Sequence, residues 1–104
     1  MATTVETLSN FIDGERVGSS GEETEPVLNP ATGEELAHAP RSTAQDVDNA
    51  VGAARRAFAG WSQTTPQERS QALLAIAAVL EEHGEEIARL EALNAGKPIE
   101  AVKS

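Results

Sequence analysis

The run Ala72-Leu73-Leu74-Ala75-Ile76-Ala77-Ala78-Val79-Leu80 constrains this chain more than any other feature, because it is apolar at nine consecutive positions. Wound as a helix at about 100° per residue, it has no polar side to turn towards water, so it needs protein around its whole circumference. It is too short for a lipid environment, since a membrane-spanning helix takes about 20 apolar residues. A chain of 104 residues is enough for one small domain, and a free domain of that size buries roughly two thirds of the surface its unfolded form exposes. A helix enclosed on every side is rare in so small a body. The expectation is therefore that residues 1–104 alone are marginally stable and expose an apolar patch beyond the few hundred Å² usual for monomers.

The boundaries of that helix are written clearly. Thr65 can cap it, Pro66 suits its first position, and Glu68 completes Thr-x-x-Glu, the box in which side chain and backbone satisfy each other's orphan donors. Upstream, Val47, Ala50, Val51, Ala54, Phe58 and Trp61 recur at spacings of three and four, which predicts an amphipathic helix ending near Gly60, with Trp61 as a packing anchor. Its start is available in two registers, Ser42 with Gln45 or Thr43 with Asp46. Downstream, Gly84 interrupts the pattern and Glu85 and Glu86 favour a new N-terminus through the helix dipole. Ile87, Leu90 and Leu93 continue to Gly96-Lys97-Pro98, the order of a helix stop. A last helix is expected from Pro98, with Ile99 and Val102 on one face; only about two turns of it are written, as if the sequence stopped within an element.

The N-terminal third changes period. Leu8 to Ile12 and Glu15 to Val17 flank Asp13-Gly14, a dipeptide that tolerates the positive φ of a type I′ turn, so a β-hairpin is expected. Gly18 to Glu23 is small, polar and acidic and fits a surface loop. Val27 and Leu28 lead into Asn29-Pro30-Ala31-Thr32-Gly33, and Leu36, Ala37 and Ala39 follow before Pro40, which makes a second hairpin whose turn uses the preset φ of proline and the left-handed freedom of glycine. The fold class is α+β: two hairpins over about residues 8–39, then three to four helices over about residues 43–104.

Charge narrows the partners. Seventeen acidic against eight basic residues leave a net charge of -9, which repels nucleic acid backbones and anionic membranes. The first ten residues show neither a secretory signal nor a transit peptide, and there is no cysteine for a disulfide or a thiolate cluster; a cytoplasmic location is the expectation. The acidic group Glu81, Glu82, Glu85 and Glu86 suits a solvated helix face.

No constellation for catalysis is apparent. His38 and His83 lack the spacing and neighbours of metal ligands, no Gly-x-Ser-x-Gly elbow presents a serine, and Glu22, Glu23 and Glu25 lie in a loop that holds nothing between them. Gly14, Gly18 and Gly21 do not make the dinucleotide fingerprint, Gly96-Lys97-Pro98 is not a phosphate loop, and Phe11, Phe58 and Trp61 are too far apart to stack bases.

The ordered set Asn10-Phe-Ile-Asp-Gly-Glu15, Asn29-Pro-Ala-Thr-Gly-Glu34, Asp46-Val-Asp-Asn-Ala50, Ala54 to Trp61, Thr65-Pro-Gln-Glu-Arg69 and Asn94-Ala-Gly-Lys-Pro98 resembles the N-terminus of the aldehyde dehydrogenase superfamily. The likeness runs from about Leu8 to Ser104 and is nearest in look to the bacterial branch acting on 4-aminobutyraldehyde and betaine aldehyde. It implies a fragment of the aldehyde dehydrogenase fold, with residues 1–104 as its N-terminal segment packed against a downstream Rossmann-like cofactor domain. It also implies a small aldehyde as substrate, NAD or NADP as cofactor, the remainder of the enzyme chain as partner, and a dimer or tetramer. The family's cysteine nucleophile, general base and cofactor-binding residues lie downstream of the matched region, so no catalytic, cofactor-binding or metal residue is assigned here and the segment alone is expected to be inactive. Some members hold a monovalent cation with a carbonyl near the position of Leu28 and an aspartate where this chain has Asn94; without that carboxylate no cation site is expected. The competing expectation is a small acidic binding or assembly module whose helix faces dock a partner.

Overall fold

The computed structural model describes residues 5–103, which form two compact units. The first takes the chain up to Leu28 together with Glu34–Ser62, and the second takes Asn29–Gly33 and the chain from Gln63 onward.

In the first unit, strands β1 (Glu6–Thr7), β2 (Asn10–Ile12), β3 (Glu15–Val17), β4 (Thr24–Leu28) and β5 (Glu35–Pro40) precede helix α1 (Ala44–Trp61). β2 and β3 form the expected hairpin, pairing Asn10 with Val17 and Ile12 with Glu15. Asp13 and Gly14 take φ of 55° and 76°, the two positive angles that a type I′ turn demands. β4 and β5 are antiparallel, with an irregularity between Val27 and Leu28. Pro26 stands in β4, an edge strand, where its missing N–H removes no interior ladder bond.

The hairpin does not begin at Leu8, as expected, but at Asn10. Glu6 and Thr7 pair parallel with Ala37 and His38, and the Leu8 N–H donates to the His38 carbonyl at 2.8 Å. That bond commits Leu8 to a three-stranded sheet in the order β1-β5-β4. Alternating side chains report an extended backbone but not which carbonyl it meets, and a two-residue parallel strand leaves almost no pattern.

The choice of register at α1 falls to Thr43. Its hydroxyl accepts the Asp46 N–H at 3.2 Å, and its own N–H donates to the Asp46 carboxylate at 2.8 Å. Ser42 instead exchanges hydrogen bonds with the Asn10 side chain.

The second unit carries α2 (Pro66–Glu82), α3 (Gly84–Ala95) and α4 (Ile99–Lys103). Thr65 and Glu68 make the predicted capping box, and Arg69 folds back to donate to the Thr64 carbonyl. α3 starts at Gly84 and ends at Gly96, whose φ of 76° lets its N–H reach the Ala92 carbonyl at 3.0 Å. The Asn29–Gly33 turn closes on itself, with the Gly33 N–H on the Asn29 carbonyl at 2.7 Å and the Ala31 N–H on Asn29 Oδ1 at 2.9 Å. It sits so near the end of α3 that a Cβ on Gly96 would lie 2.9 Å from Pro30 Cγ. The last helix begins one residue later than expected, at Ile99, because Pro98 supplies only its carbonyl, which accepts the Ala101 N–H at 3.0 Å. Lys103 pairs with Glu85 at 2.9 Å, which raises its pKa above the usual lysine value.

Candidate functional site

The most developed polar arrangement lies at the head of α1. Asp46 is 6% exposed, and its carboxylate accepts from the Thr43 N–H, the Ser19 hydroxyl at 2.7 Å and the Ser20 N–H at 2.9 Å. The Thr43 bond, followed by those from Ser19 and Ser20, holds its pKa far below the usual carboxylate range, against the smaller opposing effect of burial. The chemistry this allows is anchoring rather than proton transfer, because a carboxylate saturated with donors is a poor base. It ties the Gly18–Glu23 loop to the helix start. The Thr-x-x-Asp spacing signalled the cap; nothing in sequence signalled that Ser19 and Ser20 would join it.

The histidines have local partners. His38 Nε2 lies 3.2 Å from Glu35 and His83 Nδ1 lies 3.5 Å from Glu86, each three residues away along its own segment. No group of three or more His, Cys, Asp or Glu side chains among the described residues is placed to hold a metal ion. Leu28 belongs to the first unit, and Asn94 is exposed on α3 in the second.

A dinucleotide does not fit the residues present. The one strand-to-helix connection among the described residues, from β5 into α1, contains Arg41, Ser42 and Thr43 and no glycine. The head of α1 is already taken by Asp46, that of α2 by Glu68, and the first turn of α3 carries Glu85 and Glu86. A pyrophosphate brought to any of these ends would meet a negative charge instead of free N–H groups.

What these residues do offer is apolar surface. Leu73, Leu74, Ile76, Val79 and Leu80 of α2 are 65%, 69%, 57%, 55% and 53% exposed, and no α2 residue is buried. In the first unit Phe11 and Phe58 are 72% and 67% exposed, and Trp61, expected as a packing anchor, is 49% exposed. Ala53 is the buried apolar residue of α1. Beside it, Ala50, Ala54 and Ala57 line a groove of about 350 Å³ against Phe11, Ile12 and the Asp13-Gly14 turn. Small side chains allow that close approach, and the larger ones on α1 are left facing out. Among the described residues no helix is long and apolar enough to cross a membrane.

The larger apolar side chains of α1 and α2 are therefore mostly exposed among the described residues. Residues 17–104 match the aldehyde dehydrogenase family, and the chain belongs to it. It is 50% identical over 97 residues to malonate-semialdehyde dehydrogenase 1 of Geobacillus thermodenitrificans, covering 93% of this chain and 20% of that protein. Among solved structures it is similar to aldehyde dehydrogenase C of Pseudomonas syringae, a mutant in complex with NAD+ and octanal, with a TM-score of 0.90 and 39% identity over 93% of this chain and 20% of that one. Betaine aldehyde dehydrogenase of Staphylococcus aureus, in complex with NAD+, gives a TM-score of 0.86 and 39% identity over 91% of this chain and 20% of that one. The chain spans about a fifth of the length of the curated relatives it matches. The strands and helices are those of an N-terminal fragment of the aldehyde dehydrogenase fold.

Proposed function

We propose that residues 1–104 are the N-terminal segment of an enzyme that oxidises a small aldehyde to its carboxylate with NAD or NADP, and that the segment is structural within it. The observation that carries this is identity sustained over 93% of the chain with proteins five times as long, one of them 50% identical. In such an enzyme the cofactor accepts the hydride that the aldehyde loses. The residues here hold none of that machinery: there is no cysteine, and Asp46 is saturated with donors. Their contribution is to present apolar faces on which the remaining chain packs. A cytoplasmic location and a dimeric or tetrameric assembly go with this function.

For the substrate, 4-aminobutyraldehyde goes with the resemblance to the aminoaldehyde branch, and similarity to a betaine aldehyde dehydrogenase is consistent with an aminoaldehyde. The malonate-semialdehyde dehydrogenases among the relatives offer a carboxylated aldehyde as the competitor. Formation of reduced cofactor by the complete polypeptide, assayed with 4-aminobutyraldehyde, betaine aldehyde and malonate semialdehyde, separates them by kcat/KM. The expected result is aldehyde-dependent reduction by the complete polypeptide and none by residues 1–104. Turnover by the short chain, or a complete polypeptide inert towards every aldehyde, would overturn the proposal.

A further inference from the structure

We infer that Asp13 is a site of spontaneous covalent modification, at which the folded protein converts aspartate to isoaspartate at the tip of the β2–β3 hairpin. Among the aspartates and asparagines of the chain, Asp13 alone is followed by glycine. The conversion needs the backbone nitrogen of the next residue to reach the side-chain carboxyl carbon, so a bulky side chain or a committed N–H on that residue opposes it. Gly14 has neither. A Cβ placed on it has nothing within 4 Å, both turn residues are exposed, and among the described residues no acceptor meets the Gly14 N–H. The turn explains that freedom, because the hairpin ladder closes at Ile12 and Glu15 and leaves the second loop residue out of it. Asp13 itself is held at φ of 55°, where an L residue is disfavoured, so its backbone gives the reactant no added stability.

The other aspartates are held in place. The Asp46 carboxylate accepts from Thr43, Ser19 and Ser20, and the Val47 N–H donates to the Thr43 carbonyl at 3.2 Å. Asp48 and Asn49 lie within α1, where each N–H is engaged by the carbonyl four residues back. At Asp13 the Gly14 nitrogen forms a bond to Cγ, and the carboxyl hydroxyl leaves as water with that nitrogen's proton, closing a succinimide ring. Water then opens the ring. Cleavage of the new Cγ–N bond restores aspartate, whereas cleavage of the original bond from the Asp13 carbonyl carbon to the Gly14 nitrogen leaves the main chain running through Cγ. No oxidant or cofactor enters, and reactant and product have the same mass. The product lengthens a two-residue loop by one main-chain carbon and frees an α-carboxylate at its tip, where the hairpin lies along Ala50, Ala53, Ala54 and Ala57 of α1.

Incubation of the complete polypeptide at neutral pH tests this. Isoaspartate at residue 13 is read in the peptide ending at Arg16, by enzymatic methylation of the freed α-carboxylate and by loss of cleavage before residue 13 by an aspartate-directed protease. The free peptide of residues 10–17 gives the unfolded rate. A site that opened only on global unfolding would be reactive in about 10⁻³–10⁻⁶ of molecules and would convert at least about a thousandfold more slowly than the peptide. Residue 13 should instead convert within about a hundredfold of the peptide, because no fold-wide opening is required. Slowing beyond that, or isoaspartate elsewhere with none at residue 13, overturns the inference. Asp13→Asn keeps a residue suited to the turn and loses ammonia in place of water, so it should convert faster in the folded protein. Asp13→Glu would need a six-membered ring and should abolish the signal. An Asp13→Asn protein that stays amidated while its peptide converts, or an undiminished signal from Asp13→Glu, would overturn the inference as well.

Discussion

Replacing Gly96 by alanine separates two costs that the structure places at one residue. Gly96 has φ of 76°, and an L residue held in the left-handed region loses about 1–2 kcal/mol. A Cβ there would also lie 2.9 Å from Pro30 Cγ, inside contact distance, and forced overpacking of that kind costs about 1–3 kcal/mol. The sum is about 2–5 kcal/mol. Gly33 is the internal control, with φ of 78° and nothing within 4 Å of its Cβ position, so Gly33→Ala should cost only the backbone part. Amide exchange reads both locally, at the Gly96 N–H that caps α3 and at the Gly33 N–H that closes the Asn29 turn. Gly33→Ala should speed exchange by about 5- to 30-fold and Gly96→Ala by at least a further fivefold. Adding Pro30→Ala to Gly96→Ala should recover the second factor and not the first. Equal effects of the two single substitutions would refute the idea that Pro30 is why residue 96 has no side chain.

Thr43→Ala should destabilise the first turn of α1 by about 0.5–2 kcal/mol, whereas Ser42→Ala should leave exchange in that turn unchanged, because Ser42 bonds to Asn10 and not to the helix. Asp46 has its pKa lowered by folding, so its stabilising effect is complete above the unfolded carboxyl value of about 4. It is lost as pH falls from there through the folded pKa. Difference spectra of helicity between Asp46→Asn and the parent should therefore grow smaller in acid, and a constant difference down the whole range would contradict the assignment. Leu74 is 69% exposed, so Leu74→Ala should cost under about 1 kcal/mol in the isolated chain. In the complete polypeptide it should cost about 2–5 kcal/mol if the helix is enclosed there, as urea titration of both would show. An apolar dye should also bind residues 1–104 and not the complete polypeptide.

Much of the local structure was legible because it is set by short-range chemistry. Asp13-Gly14, Asn29 to Gly33, Thr65 to Glu68 and Gly96 each announce a turn or a cap through backbone groups that only nearby residues can satisfy. The α1 start was ambiguous for the same reason: Ser42 and Thr43 are equally good caps until Asn10, far away in sequence, claims Ser42. The apolar stripe on α1 was correctly placed on one face, but its burial was not decided by periodicity. The β2–β3 hairpin settles on the small side chains around Ala53, and Phe58 and Trp61 stay largely exposed. As for the site, sequence alone offered no cysteine and no glycine-rich dinucleotide fingerprint, and it gave no sign that Ser19 and Ser20 would gather on Asp46.

The β2–β3 and β4–β5 hairpins and the four helices were written in spacing, caps and turn residues, while the family showed as a resemblance in the ordered set of motifs. Caps and turn residues act within a few positions of one another, where the backbone's own geometry leaves few choices. The parallel pairing of Glu6–Thr7 with β5, the enclosure of Asp46 by Ser19 and Ser20, and the approach of Pro30 to Gly96 were decided only when distant segments met. Each depends on which donor, acceptor or surface happens to be opposite, and a one-dimensional pattern records the readiness of a group to pair without recording its partner.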